Sequence, residues 1–460
     1  MLRGAFPLFI DMNSINRKIW VVAIPIIIQN LIDAAVNSAD VVMLNYVGQS
    51  AISAVSLANS MISVFFMFLY GIGTGIAMLS AQYFGKGDTS TIEKVEGIGL
   101  KFALFVAAIG AAGALFIPRQ LMWIYTNDEA LVEIGAKYLM IIAPGLIFWS
   151  ISSVYMSILR CIDKVAVSTV LEAVALISNV LLNAVFIFGL LGVPKLGVVG
   201  VALATVISRF IQMAGCFIIS AFMKPAVPLT FKTMLGRYKL LEKDFTGMAL
   251  PAIGNDLAWA LAFSVYSMIM GHLGDDVVAA YSINNVVRNL GTVLCYGIAA
   301  AAGIIVGQIL GEDNIEEGKR AGRVCLKLSF ITGIIGGLTV LALTPLTLNV
   351  VSISEKALDY LRFMLLINTY YITGTAVNST LIVGVFRAGG DSRFGFKCDL
   401  IDMWVYAVPL GLIAAFVLKL PVKWVYFLLC TDEFVKWPWV FKHFYSYEWA
   451  RNVTRDAILS

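Results

Sequence analysis

The chain has 460 residues, of which 60% are hydrophobic and only 13% are charged, and its mean hydropathy is +0.87. A soluble protein of this length would carry about twice that charged fraction, so the composition indicates a protein that crosses a membrane several times. The net charge of +4 is too small to predict nucleic-acid binding. Two histidines and six scattered cysteines favour neither a metal centre nor catalysis, and we expect no cofactor and six buried, free thiols.

Apolar stretches long enough to cross a bilayer predict twelve helices and an all-α membrane fold. Their approximate bounds are 20–46, 51–82, 97–117, 133–157, 167–192, 197–222, 246–272, 277–309, 323–345, 357–384, 398–418 and 421–437. The last stretch is the least regular, because Asp432, Glu433 and Lys436 interrupt it. Lysine and arginine are about three times as frequent in the connections on the side of the two termini, which predicts cytoplasmic termini.

The first predicted helix carries a polar stripe. Asn30, Asp33, Asn37 and Asp40 recur at spacings of three, four and three, which places them on one helix face. An ionisable group in mid-membrane costs about 2.5–3.5 kcal/mol on insertion scales. The stripe should therefore face a wet or protein-lined interior, where it could exchange protons or ligate sodium. A hydrogen-bonded helix contact is the structural alternative.

A repeat divides the chain into halves of six helices each. A shift of 226 residues aligns Ala23–Asp88 with Ala249–Asn314 without a gap, with 15 identities in 66 positions that include Pro25 with Pro251. An even number of helices per half predicts two lobes related by a pseudo-two-fold axis along the membrane normal. We therefore expect an N-terminal lobe at 1–222, a cytoplasmic linker at 223–245 and a C-terminal lobe at 246–460.

Other predicted helices also carry polar faces. Helix five has Glu172, Asn179 and Asn183, of which Glu172 could pair with Lys164 or Arg160. Helix seven has Asn255 and Asp256, with Arg288 as the expected partner of Asp256, and its Tyr266 is the repeat equivalent of Asp40. Helix ten presents Asn368, Tyr371, Thr375 and Asn378 on one face. Helix eleven carries Asp399, Asp402 and Tyr406, a polar face that could line the cavity. The alternative for the two aspartates, which start near the cytoplasmic end, is a solvated position or a pair with a loop.

Several local motifs resemble those of the multidrug and toxic compound extrusion (MATE) family, and each stands at the position in the chain where that family has it. They are AQYFGKGD (81–88) and its repeat GQILGEDN (307–314), FRAGGD (386–391), NVLLNAVFIFGLLGVPKLGVVGVALAT (179–205) and DEFVKWPWVFKHF (432–444). The resemblance covers nearly the whole chain. It implies a secondary transporter rather than an enzyme, which exports drugs by antiport with H⁺ or Na⁺.

The resemblance also suggests roles for the polar residues. Asp40 stands at the aspartate of the first helix that the family uses for cation coupling, whereas Asn179 and Asn183 stand where one branch has an Asn–Asp pair. We predict cation coupling at Asp40, Asp33, Asn37, Asn179 and Asn183, with Asp40 a possible Na⁺ ligand. The predicted substrate-binding residues are Asn30, Asn255, Asp256, Tyr266, Asn368, Tyr371 and Asn378.

The expected function is multidrug efflux of amphipathic, often cationic, small molecules across the cytoplasmic membrane. We expect a monomer whose partners are drug-like substrates and membrane lipids. The alternative is a flippase for a lipid-linked saccharide. A flippase would favour a cationic cavity that holds pyrophosphate, but the predicted helices contain more carboxylates than arginines.

Overall fold

A computed structural model describes residues 14–351 and 353–455, except for the side chains of Ser14, Asn37, Ser38, Asp40, Val41, Val42 and Asn45. The long apolar segments are helical, as a bilayer requires of any segment that must satisfy its own backbone groups. The helices of the first half are α1 (Ser14–Asn45), α2 (Gln49–Gly85), α3 (Thr89–Phe116), α4 (Glu129–Cys161), α5 (Val165–Phe188) and α6 (Val198–Met223).

The second half repeats this order. Its helices are α7 (Lys239–Gly271), α8 (Asp275–Gly311), α9 (Ile315–Val350), α10 (Glu355–Asn378, extended by the π-helical turns Ser379–Phe386), α11 (Ser392–Val417), α12 (Val422–Leu429), α13 (Asp432–Val435) and α14 (Trp437–Ser446). Ten helices in the described part are long and apolar enough to cross a membrane. The two remaining predicted spans correspond to α10 and to the segment from α12 to α14, which are not among those ten.

The predicted all-α membrane fold is confirmed, but the continuous last helix at 421–437 is wrong. α12 ends at Leu429, and α13 and α14 follow as separate short helices. Pro438 occupies the first turn of α14, a position that proline tolerates because the amide there has no helical partner. The break allows the charged side chains of α13 to turn toward partners on other helices.

The repeat is visible in the helix boundaries. α2 and α8 are both 37 residues long and start 226 residues apart, at Gln49 and Asp275. Each is preceded by a glycine at positive φ, 125° at Gly48 and 120° at Gly274, where a side chain would be strained.

The residues group into two compact units. The N-terminal unit comprises Ile28–Ala249, and the C-terminal unit comprises Leu250–Arg455 together with the part of α1 that ends at Ile27. Thus α1 and α7 each pass from one unit into the other close to Pro25 and Pro251. All six cysteines are buried and free, as expected.

Glycines permit close helix packing within the C-terminal unit. A methyl group on Gly336 of α9 would clash with the carbonyl oxygen of Gly291 on α8, and one on Gly337 would clash with that of Thr369 on α10. Helices in lipid lack a hydrophobic driving force for association. Small residues at such crossings instead allow close van der Waals packing of the helices.

We expect Gly337→Ala to lower the melting temperature of the detergent-purified protein, because the backbones of α9 and α10 would have to separate. Overpacking of this kind costs about 1–3 kcal/mol. The matched control is Gly247→Ala, where no atom lies within 4 Å of the added methyl group. That control should be neutral or slightly stabilising. Equal melting temperatures for the two variants would contradict the packing argument.

In the C-terminal unit, a carboxylate holds the connection between α10 and α11 against α14. Asp391 caps α11 by accepting a bond from the Phe394 amide, and its Oδ2 lies 2.8 Å from His443 Nε2 on α14. The Phe394 ring stacks on that imidazole at 3.8 Å. Burial raises the pKa of Asp391, but the bond and charge interaction with His443 outweigh it and hold the pKa below 3.8.

We expect Asp391→Asn to melt at a lower temperature than the wild-type protein at pH 7. A carboxyl whose pKa is lowered by folding stabilises the native state above its unfolded pKa and loses that contribution as falling pH protonates it. The difference in melting temperature should therefore shrink as the pH falls through and below 4. Asp128→Asn, which alters the exposed cap of α4, should cost less at pH 7. A pH-independent difference for Asp391→Asn would refute the assignment.

Candidate functional site

In the N-terminal unit, α1 presents the first part of the polar stripe. Asn30 and Asp33 are half-buried, whereas the side chains of Asn37 and Asp40 lie outside the described residues. The charged groups that act on Asp33 are Glu172 of α5, Arg209 of α6 and Arg160 of α4. The described half of the stripe therefore borders a charged interior.

That interior contains a buried ion pair. Arg209 Nη1 lies 3.1 Å from Glu172 Oε1, and Gln212 Nε2 donates to Glu172 Oε2 at 2.6 Å. The expected pairing of Glu172 with Lys164 or Arg160 is wrong, because Arg209 lies on the neighbouring helix at the same depth. The Arg209 guanidinium also lies 4.5 Å from the centre of the Trp149 ring.

The amides of α5 form a second polar group in this unit. Asn183 Nδ2 donates to Asn179 Oδ1 at 3.3 Å, and Asn179 Nδ2 donates to Thr205 Oγ1 of α6 at 3.3 Å. Both asparagines are buried. The structure thus brings together the two amides predicted for cation coupling.

In the C-terminal unit, Asp256 pairs with a different arginine from the one expected. Arg387, at the end of α10, donates through Nη2 to Asp256 Oδ1 at 2.8 Å and to Asn255 Oδ1 at 2.9 Å. The expected partner, Arg288, instead lies over the Phe263 ring at 5.2 Å. Asn255 Nδ2 in turn donates to Asp399 Oδ2 at 2.8 Å.

The acidic residues of α13 connect three more predicted residues. Tyr266 and Tyr371 both donate to Asp432 Oδ2, at 3.1 and 3.4 Å. Asn378 Nδ2 donates to Glu433 Oε2 at 2.6 Å, and Thr375 Oγ1 donates to Oε1 at 3.2 Å.

Lys436 completes this network. Its ammonium lies 3.0 Å from Asp399 Oδ1, 3.1 Å from Glu433 Oε2 and 3.7 Å from Asp402 Oδ2. Both aspartates are buried, so the expectation of a solvated position is wrong. Their partner Lys436 lies in the turn between α13 and α14. Five predicted residues, Asn255, Asp256, Tyr266, Tyr371 and Asn378, thus belong to one connected cluster of α7, α10, α11 and α13.

Asn368 belongs to a neighbouring group. Its amide donates to Asn284 Oδ1 of α8 at 2.6 Å, and Tyr426 donates to its Oδ1 at 3.3 Å. Sequence reasoning did not assign site roles to Arg387, Asp432, Glu433 and Lys436. For Asp432, Glu433 and Lys436 the available signal is their position inside an apolar stretch, but the sequence alone predicts only an irregular last helix there.

Comparison with known proteins identifies the family. The MatE family model matches residues 25–188 and 251–413, two stretches that start 226 residues apart and together cover most of the chain. The chain belongs to the MatE family. It is therefore a secondary transporter and not an enzyme, and its fold of two six-helix lobes is that of MATE transporters.

Curated relatives span nearly the whole chain. A probable multidrug resistance protein of Bacillus subtilis, YoeA, is 23% identical over 417 residues, which are 89% of each chain. A probable multidrug resistance protein NorM of Photorhabdus laumondii is 27% identical over 411 residues, 87% of each chain. Both relatives are thus described as probable multidrug resistance proteins.

Solved structures share the fold. A Vibrio cholerae MATE transporter, VcmN, matches with a TM-score of 0.85 at 14% identity, over 95% of this chain and 98% of that one. A transporter of the MOP superfamily from Pyrococcus furiosus matches with a TM-score of 0.83 at 19% identity, over 95% and 97%. At these identities the likeness establishes the architecture alone.

We expect Arg209→Met to destabilise the protein strongly, because it leaves the buried Glu172 carboxylate without its cation. Removing one partner of a buried ion pair costs about 3–5 kcal/mol. The double variant Arg209→Met, Glu172→Gln should recover much of this loss in thermal unfolding of the detergent-purified protein. The exposed pair Lys101–Glu242 is the control, and Lys101→Met should cost under about 1 kcal/mol. Equal stability of the single and double variants would exclude an energetic coupling between Arg209 and Glu172.

Proposed function

We propose that the chain exports amphipathic, often cationic, small molecules by antiport with H⁺ or Na⁺ across the cytoplasmic membrane. The carboxylate stripe of α1 carries this proposal, because Asp33 and Asp40 lie on one helix face inside an apolar segment. The names of the multidrug relatives support the substrate class. We place both termini and residues 223–245 in the cytoplasm, and we treat the protein as a monomer in contact with lipid.

Coupling begins at α1 in this proposal. A proton or sodium ion that enters from outside binds at the Asp33–Asp40 face, because an apolar segment offers little water to compete for the ion. Asn37, Asn179 and Asn183 supply further oxygen atoms. Binding of the ion at this face stabilises the conformation that releases the drug outward. Release of the ion to the cytoplasm restores the conformation that loads the drug. Antiport requires only that ion and drug stabilise different states.

The C-terminal unit contributes polar surface for the substrate. Six residues of this unit would bind it once the hydrogen bonds they now make with other protein groups are exchanged for bonds to the substrate; they are Asn255, Asp256, Tyr266, Tyr371, Asn368 and Asn378. Asn30, in the N-terminal unit, is a further proposed substrate-binding residue. The excess of buried carboxyl groups in this unit suits an organic cation better than the pyrophosphate of a lipid-linked saccharide.

Transport by proteoliposomes tests the proposal. An inward gradient of H⁺, or of Na⁺ in a separate series, should drive efflux of a fluorescent organic cation such as ethidium by the wild-type protein. Asp40→Asn should slow gradient-driven efflux by at least about tenfold, since it removes an ionisable group of the coupling face, equivalent to about 1.4 kcal/mol. Asp33→Asn should have a smaller effect.

Asp359→Asn is the control, because Asp359 pairs with Lys423 in a partly exposed bridge away from the stripe. This variant should transport like the wild-type protein. If Asp40→Asn shows gradient-driven efflux at the wild-type rate, Asp40 is excluded from the coupling mechanism. Failure of both gradients to drive any organic cation would favour the flippase.

A further inference from the structure

Lys436 lies inside the C-terminal unit as a bound cation would. Its side chain is 1% exposed, and carboxylate oxygens from two helices approach the ammonium, those of Asp399 on α11 at 3.0 Å and Glu433 on α13 at 3.1 Å. A lysine at this depth has lost most of its hydration, which these oxygens must replace. The pocket thus has the composition of a site for a monovalent cation, with the cation covalently attached to the chain.

A third carboxylate faces the same ammonium without a hydrogen bond. Asp402 is fully buried, neither of its oxygens has a hydrogen-bond partner among the described residues, and Oδ2 lies 3.7 Å from the ammonium. Asn378 Oδ1, on the amide that holds Glu433, also lacks a partner there. Buried polar atoms normally find partners. The two Asp402 oxygens and Asn378 Oδ1 are therefore possible cation ligands to which the Lys436 ammonium donates no hydrogen bond.

Two arginines of this unit have described partners other than the carboxylates around Lys436. Arg387 is engaged by Asp256 and Asn255, and Arg288 lies on the Phe263 ring. Asp432 adds another carboxyl next to Glu433. Lys436 is thus one ammonium among four carboxyl groups. Loss of its charge would leave a strongly acidic, dehydrated pocket that attracts any small cation able to enter.

We propose that Lys436 is a tethered cation that fills a cation-binding site formed by Asp399, Asp402 and Glu433. While the lysine is present, this site takes no free ion. When the side chain is shortened, the vacated space binds a small primary ammonium ion or Na⁺. This inference concerns occupancy of the pocket and does not rest on the antiport proposed above, since stability of the purified protein reports it.

Chemical rescue of Lys436→Ala tests the proposal. Removal of the ammonium should lower the melting temperature of the detergent-purified protein by about 5 °C or more, because the buried carboxylates lose their cation. Methylammonium chloride at about 50 mM should restore at least about half of this loss, because binding to the native state alone stabilises it. Parallel series with NaCl and with tetramethylammonium chloride, at equal ionic strength, separate specific binding from screening.

Two proteins serve as controls. The wild-type protein has its pocket filled by Lys436, and Lys436→Met fills the space with an apolar chain of similar length. Neither should show the additional stabilisation by methylammonium or Na⁺ that Lys436→Ala shows. Equal responses of Lys436→Ala to all three salts would overturn the proposal. So would equal responses of the three proteins to methylammonium.

Variants that keep Lys436 test the proposal even if Lys436→Ala does not fold. Asp399→Asn and Glu433→Gln each weaken a close partner of the ammonium and should lower the melting temperature. Asp402→Asn removes the carboxylate that makes no hydrogen bond, so its effect should be smaller. Unchanged melting temperatures for both Asp399→Asn and Glu433→Gln would show that the pocket does not hold the lysine as a cation.

Discussion

The constraint that organises this protein is that a charge inside an apolar helix bundle must find its counter-charge there. Water is excluded from the hydrocarbon core, so each buried ionisable group costs several kcal/mol unless protein groups replace its hydration. In the N-terminal unit, the pair of Glu172 and Arg209, held by Gln212, meets this requirement. The C-terminal unit meets it with a larger cluster that joins α7, α10, α11 and α13.

The two halves therefore share a scaffold but distribute their charges differently. The repeat preserves the long helices α2 and α8 and the glycines before them. It does not preserve the carboxylates of α1, because the positions equivalent to Asp33 and Asp40 are Trp259 and Tyr266. Tyr266 nevertheless contacts a carboxylate, since its hydroxyl donates to Asp432 of α13. In the second half, Asp256 of α7 is thus joined in the interior by acidic groups from α11 and α13.

Sequence patterns predict the scaffold well because length, hydropathy and repetition are properties of single segments. The number of helices, the 226-residue repeat and the buried thiols all follow from such patterns. Side-chain partners depend on the packing of distant segments, and there the predictions fail. Asp256 pairs with Arg387, which is 131 residues away, rather than with Arg288. Asp399 and Asp402 are near a predicted helix end, yet they are buried because Lys436 packs against them.

The break in the last helix shows why a regular apolar pattern does not predict the structure of residues 421–437. A continuous helix through 421–437 would satisfy the backbone but would fix the directions of Asp432, Glu433 and Lys436 by a rotation of about 100° per residue. In the observed break, Asp432 meets two tyrosines, Glu433 meets Asn378 and Thr375, and Lys436 meets Asp399. Each contact to a buried charged group contributes about 1.5–3 kcal/mol, so these five contacts together outweigh the loss of a few helical hydrogen bonds at about 0.5–1.5 kcal/mol each. Charge pairing between helices therefore determines the backbone here, and the same pairing keeps the ammonium of Lys436 where a free cation would otherwise bind.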